Sequence, residues 1–157
     1  MFNKLLVIVS LIIVTAVTVE INAREAKSER QAATAVKYRQ SVLSLFRSNM
    51  GPMIPMMKGN IPYNVEVMQK NSERLEQLAL MMPDYFVMDT RKFDVETGAL
   101  PKLWDNKDDF GMKADALLDA AKALRAAAAS GDESSYGKAI GGVLKTCKGC
   151  HDSYKAE

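Results

Sequence analysis

The two cysteines and the only histidine of this 157-residue chain lie within one short segment near its end, Cys147-Lys148-Gly149-Cys150-His151. On a helix, residues three positions apart share a face, so both thiols can reach the same edge of a flat group. Each thiol can add to one vinyl group of a porphyrin, and the histidine that follows can give iron a nitrogen ligand. The segment therefore predicts a helix that carries one covalently attached c-type haem.

Three other interpretations of this segment fit less well. A thioredoxin-like cysteine pair opens a helix in a βαβ unit, and the chain shows no alternation typical of strands. A structural zinc site needs four ligands, whereas the segment offers three and no carboxylate cluster is evident. Two core cysteines and a surface histidine that fall together by chance remain as the third interpretation.

The first 23 residues have the pattern of a signal peptide. Lys4 supplies one positive charge, an apolar run follows over residues 5–19, and Ala23 offers a small residue for cleavage. An uncleaved anchor is the alternative, although the run is shorter than the ~20 residues that span a bilayer. We expect a signal peptide over 1–23, one domain over 24–157, a periplasmic location, and no membrane contact after cleavage.

The charge balance excludes one large class of partners. The formal net charge is +2, and removal of Lys4 and Glu20 with the first 23 residues leaves it unchanged. Lysines and arginines are spread among acidic residues, and no basic stripe interleaves with aromatic residues, so no nucleic-acid partner is expected. A mature chain of this length can bury one core, which a haem would enlarge.

Apolar residues recur at helical spacing in four stretches, about 25–58, 64–82, 105–129 and 132–151. Pro52 and Pro55 predict a kink or a frayed turn late in the first stretch. Residues 83–104 show no periodicity and predict a long loop. The pattern indicates an all-α fold, an antiparallel four-helix bundle with covalently bound haem at one end.

Residues at helical spacing on the first and last helices are the ones that matter for a haem. Six residues of each helix fall along one side by spacing alone. They are Ala32, Val36, Arg39, Leu43, Phe46 and Met50 in the first helix, and Tyr136, Ile140, Val143, Leu144, Cys147 and His151 in the last.

Several motifs together resemble one known family. They are Lys37-Tyr38-Arg39-Gln40-Ser41-Val42-Leu43, the corner from Lys58-Gly59 to Pro62-Tyr63, Leu100-Pro101-Lys102-Leu103-Trp104, and the terminal Cys147 to Tyr154. Over essentially the whole mature sequence the chain resembles the cytochromes c prime, class II c-type cytochromes whose haem motif lies near the C-terminus. The resemblance implies a homodimer formed through the first two helices.

The resemblance also implies roles for individual residues. Cys147 and Cys150 would form the thioether links, and His151 would be the axial iron ligand. Arg39 and Gln40 would contact the haem propionates. A guanidinium suits a carboxylate in an apolar bundle because it donates two parallel hydrogen bonds, but a solvated helix face is the alternative for both residues.

Leu43 decides the expected function. Low-spin relatives carry a methionine at this position, and the cytochromes c prime carry an apolar residue that cannot bind iron. With Leu43 in the distal pocket, we expect a five-coordinate, high-spin iron that binds nitric oxide or carbon monoxide. The alternative is a low-spin electron-transfer cytochrome with a methionine as sixth ligand, and Met50, Met53, Met56 and Met57 are the nearby candidates.

Two further expectations follow. Catalysis on a haem needs a positioned acid or base, and the residues predicted above the iron are apolar, so no enzyme activity is expected. A redox partner protein remains an open expectation. Lys155 stands where many relatives have an arginine, four residues after His151, and lacks its planar fork.

Overall fold

The computed structural model describes residues 24–156, so the predicted signal peptide lies outside the described residues. Within this range the secondary structure consists of six α-helices, a 3-10 turn and two very short strands. The helices are α1 (Glu29–Met50), α2 (Met53–Met57), α3 (Val65–Met81), α4 (Lys102–Asp105), α5 (Lys107–Ser130) and α6 (Glu133–Tyr154). The all-α fold is confirmed, with α1, α3, α5 and α6 as its four long helices. No helix of the described range is both long and apolar enough to cross a membrane.

The first long helix ends earlier than the sequence pattern predicts. Ser28 begins α1, because its side chain accepts a hydrogen bond from the backbone N–H of Gln31. The expected continuation to about residue 58 is wrong, since α1 ends at Met50 and the separate helix α2 follows Pro52. The proline has no N–H to donate to the helical ladder, so the chain changes direction there, as the kink prediction anticipated.

The other helix ends follow local chemistry closely. The side chains of Asn64 and Asp132 cap α3 and α6 by accepting backbone N–H groups. Gly131 ends α5 with a φ of 72°, a left-handed conformation that glycine adopts without steric cost. Asn106 precedes α5 but does not cap it, because its side chain instead donates to the carbonyl of Lys102.

The four long helices pack against one another on three sides of a bundle, and on the fourth, which we call the open side, only the short helix α2 packs against α6. Helix α3 packs on α1 and α5, and α5 packs on α6, whereas α1 and α6 hardly touch each other. The closed sides bury a continuous core. Its fully buried members include Met68 and Leu75 of α3, Leu124 of α5, and Ile140 and Val143 of α6.

The predicted loop over 83–104 contains more structure than its sequence indicates. A 3-10 turn spans Met82–Phe86, and α4 occupies Lys102–Asp105. The strand β2 (Met88–Asp89) pairs in parallel with β1 (Arg24–Glu25). No strand was predicted, because two-residue strands are too short to show an alternating pattern.

Candidate haem site

The two cysteines lie side by side on α6, at the edge of the open side of the bundle. Both are free thiols of intermediate exposure, and both pack against the buried core. Burial raises the pKa of each thiol, and Lys113 partly opposes this at Cys150. The thiols are therefore protonated, and their one-turn spacing matches attachment to a single flat apolar group.

His151 follows the cysteine pair but does not lie on the buried face. Its side chain is exposed, whereas Tyr136 and Ile140 of the same helix are fully buried, and its role as the axial iron ligand stays a prediction. Partial burial lowers its pKa, the cations Lys155 and Arg47 lower it further, and Asp152 opposes them. A neutral imidazole with a free nitrogen is the form that binds iron.

Arg47 of α1 lies near enough to His151 for its charge to lower the pKa of the imidazole. Gln40, Leu43 and Arg47 are spaced three and four residues apart and share one edge of α1. All three are exposed, and Leu43 is 43 % exposed. Val42, 3 % exposed, points into the core, and Leu43 lies about 100° further round the helix, so the place of Leu43 in a distal haem pocket stays a prediction.

Arg39 is buried rather than solvated. It is 2 % exposed, which removes the surface alternative for this residue. Its Nε donates to the carbonyl of Tyr85 at 2.9 Å, its Nη1 donates to the hydroxyl of Thr90 at 3.2 Å, and its Nη2 donates to the carbonyl of Met88. Its propionate contact stays a prediction, as does that of the exposed Gln40.

Trp104 lies directly against Arg39. The guanidinium carbon of Arg39 is 4.9 Å from the Trp104 ring centre, and that of Arg91 is 5.9 Å away. Trp104 is 5 % exposed, and its indole Nε1 is buried without a hydrogen-bond partner among the described residues. Such an unpaired donor costs free energy unless something else accepts its hydrogen bond.

The methionines near the end of α1 are core residues. Met50, Met53 and Met56 are each at most 5 % exposed and belong to the apolar cluster beneath α1 and α2. Met57 is partly buried and packs against the same cluster. Their burial agrees with a role as core filler.

The residues that surround the open side fit a covalently bound haem. Two free thiols stand one turn apart beside a histidine with a lowered pKa, and Leu43 presents an apolar side chain from the facing helix edge. Sequence reasoning missed Arg47, although its helical spacing from Leu43 could have revealed it. It also missed Thr90 and the unpaired Trp104 nitrogen, because contacts across about 50 residues leave no local pattern.

A helical bundle with a C-terminal cysteine pair and histidine on its open side defines the class of c-type haem bundle proteins. Residues 34–155 match the family model described as Cytochrome C'. The chain belongs to the cytochrome c' family, whose members carry one covalently bound c-type haem. The predicted family, fold and cofactor are thus confirmed.

Relatives and solved structures agree over most of the chain. The cytochrome c' of Alcaligenes xylosoxydans xylosoxydans is 38 % identical over 121 residues, covering 77 % of this chain and 92 % of the relative. The solved cytochrome c prime of Shewanella frigidimarina is 35 % identical, with a TM-score of 0.74, over 80 % of this chain and 97 % of that chain. A ferrous arginine-to-lysine variant of the Alcaligenes xylosoxidans cytochrome c prime with bound NO is 36 % identical, with a TM-score of 0.73, over 80 % of this chain and 96 % of that one.

Proposed function

We propose that this chain is a periplasmic, five-coordinate c-type haem protein that binds nitric oxide, and less readily carbon monoxide, on the α1 side of the haem. The observation that carries the proposal is the exposed alkyl side chain of Leu43 on the α1 edge that also bears Arg47, whose charge acts on His151. The matched Alcaligenes xylosoxidans variant with bound NO supports a gas ligand.

The roles of the protein groups follow from their chemistry. A bound haem supplies an iron that accepts one more small ligand. His151 holds its own nitrogen free of a proton because burial, Lys155 and Arg47 all lower its pKa. Leu43 has no lone pair to give the metal, and its alkyl group excludes water, so only a small neutral molecule that displaces the side chain gains access.

Lys155 is the residue most able to make this chain differ from its relatives. It follows α6 directly, its side chain is exposed, and its ammonium donates to the carbonyl of Ala156 at 3.3 Å. A lysine is a single flexible point charge, whereas an arginine presents two parallel donors. We therefore expect weaker stabilisation of a gas molecule on the His151 side of the haem than in relatives with arginine.

The alternative, a low-spin electron-transfer protein, needs a sulfur ligand on the α1 side. Met50, Met53 and Met56 are buried in the core, whereas Leu43 is exposed on the edge of α1 that also bears Arg47. These placements favour gas binding over methionine ligation. Exchange of electrons with a redox partner protein is compatible with either ligation and belongs to the proposal as a second role.

The same proposal treats the protein as a binder rather than an enzyme. Leu43 offers no acid or base, and the other two residues of its edge, Gln40 and Arg47, are solvated. Steady consumption of nitric oxide by the pure protein would contradict this part.

A homodimer through α1 and α3 completes the proposal. Of the methionines of α3, Met68 is fully buried and Met81 is 38 % exposed. Leu45 and Leu80, 51 % and 61 % exposed, instead provide apolar surface on these helices. Sedimentation of the mature protein with and without Leu45→Glu tests this contact, and an unchanged dimer would overturn it.

Absorption spectra test the central proposal. The ferrous mature protein should show a high-spin, five-coordinate spectrum that changes when nitric oxide is added. Carbon monoxide should give a weaker response at equal concentration. A six-coordinate, low-spin spectrum without added ligand would refute the gas site and leave the family assignment intact.

A further inference from the structure

Arg39 is a buried cation whose hydrogen bonds involve no carboxylate among the described residues. Each of its three protein hydrogen bonds goes to a neutral oxygen, on Tyr85, Met88 and Thr90. Within residues 24–156 it forms no salt bridge, because the nearby Asp89 is bonded to Arg91 instead. A buried charge is costly unless a partner of opposite charge neutralises it.

A second unsatisfied donor lies at the same place. The indole N–H of Trp104 is buried and unpaired among the described residues. The centre of the Trp104 ring lies 4.9 Å from the guanidinium carbon of Arg39. A guanidinium carries five N–H hydrogens, so Arg39 keeps two for another acceptor after its three protein bonds. An indole N–H without an acceptor and a guanidinium with two unused N–H groups match a single carboxylate.

We propose that Trp104 is a haem-binding residue whose indole N–H, together with the free N–H groups of Arg39, holds one propionate carboxylate of the haem. The inference rests on the proposed contact between Arg39 and a propionate, and it adds a donor for which the motif comparison assigned no role. The propionates of a haem lie on the edge opposite the vinyl groups, so the carboxylate lies away from Cys147 and Cys150.

Packed aromatic side chains connect α6, the helix that carries the cysteines, with Arg39. Tyr154, one turn after Cys150, contacts Phe110 at 5.7 Å between ring centres. Phe110 contacts Phe86 at 5.0 Å, and the Arg39 guanidinium lies 5.5 Å from the Phe86 ring centre. This line of aromatic side chains runs from the cysteine helix to the Arg39 and Trp104 pair.

The first experiment uses the unmodified holoprotein. Trp104 is the only tryptophan of the chain, so ultraviolet resonance Raman scattering reports the hydrogen-bonding state of this one indole. We expect the signature of an indole N–H that donates to an anionic acceptor. A signature of a free N–H would overturn the inference, and the nitric oxide spectra would still test the proposed function independently.

The second experiment compares two variants that each remove one buried, unpaired polar atom. Trp104→Phe removes the indole N–H, and Tyr136→Phe, the matched control, removes the unpaired hydroxyl of Tyr136. The measured quantity is the pH at which propionate ionisation changes the reduction potential. The charged residues near Trp104 and the Arg39 guanidinium are Arg39 itself, Arg91, Asp89 and Asp105. Both variants retain all four.

Loss of the indole donor should raise that pH by about one unit, since a hydrogen bond to the ionised form favours it. Tyr136→Phe should leave it in place. Equal behaviour of the two variants would overturn the inference. If Trp104→Phe failed to fold, the Raman measurement on the unmodified protein would decide alone.

Discussion

The side of the bundle between α3 and α5 and the side between α1 and α6 are built on different rules. On the closed side, apolar side chains such as Leu75 and Leu124 are fully buried against one another. On the open side, Leu43 is 43 % exposed and the two cysteines are half-buried. The contrast teaches that apolar periodicity identifies a helical stripe, whereas it does not show which residues of that stripe another helix covers.

The largest expected effect tests the closed side. Leu124→Ala removes a fully buried side chain and should lower the free energy of unfolding by about 2–5 kcal/mol. Leu43→Ala, the matched change on the open side, should cost clearly less. Denaturant titration of both holoprotein variants measures the difference, and equal losses would break the comparison.

The second largest expected effect concerns Arg39, which connects α1 to the loop over 83–104. Arg39→Met leaves the carbonyls of Tyr85 and Met88 without their donor and should cost about 1–3 kcal/mol. Arg39→Lys keeps one donor and the charge, so it should recover part of the loss. Thermal unfolding of the two variants provides the measurement, and indistinguishable stabilities would contradict the bonding described for this residue.

A change on the open side should alter the iron far more than the fold. Leu43→Met places a thioether sulfur on the edge that faces the haem-binding motif and should give a low-spin spectrum with a slower response to nitric oxide. Leu45→Met, two positions along on the same helix, serves as the control and should leave the high-spin spectrum unchanged. A low-spin spectrum in both variants, or in neither, would show that position 43 is not above the iron.

The smallest effect appears only at alkaline pH. Burial, together with the hydrogen bond from the Tyr154 hydroxyl to Asp109 at 2.5 Å, raises the pKa of Tyr154 to about 12. A raised pKa favours the protonated phenol in the folded state, so its stabilisation is complete below pH about 10 and is lost as the pH rises toward 12. Tyr154→Phe should flatten this part of the stability curve, whereas Tyr38→Phe, at a half-exposed tyrosine, should not.

Much of the bundle is predictable because its information is local. Asn64 and Asp132 cap the helices that the pattern placed there, and Pro52 marks the break after α1. The exact end at Met50 is less accessible, because the proline predicts a disturbance and not whether a new helix follows. The pairing of β1 with β2 is beyond reach of pattern analysis, since two residues cannot show a period.

The residues of the candidate site likewise fall into those that a local motif predicts and those that depend on distant contacts. Cys147, Cys150 and His151 are predictable because one spacing rule contains their chemistry. The burial of Arg39 was not, because its acceptors on Tyr85, Met88 and Thr90 lie 46 to 51 residues away. The place of Leu43 beside the haem rests on family resemblance and stays a prediction, because helical spacing alone does not show how deeply a side chain is buried.

Backbone bonds from both ends of the described range converge on the segment between α3 and α4. Arg24 and Ala26 donate to the carbonyls of Val87 and Asp89, while Leu100 donates to that of Tyr154 and Ala156 to that of Gly98. The segment between α3 and α4 is therefore held from two sides, by the residues before α1 and by those at the end of α6. A truncation on either side would remove one of the two sets of backbone hydrogen bonds and leave the other in place.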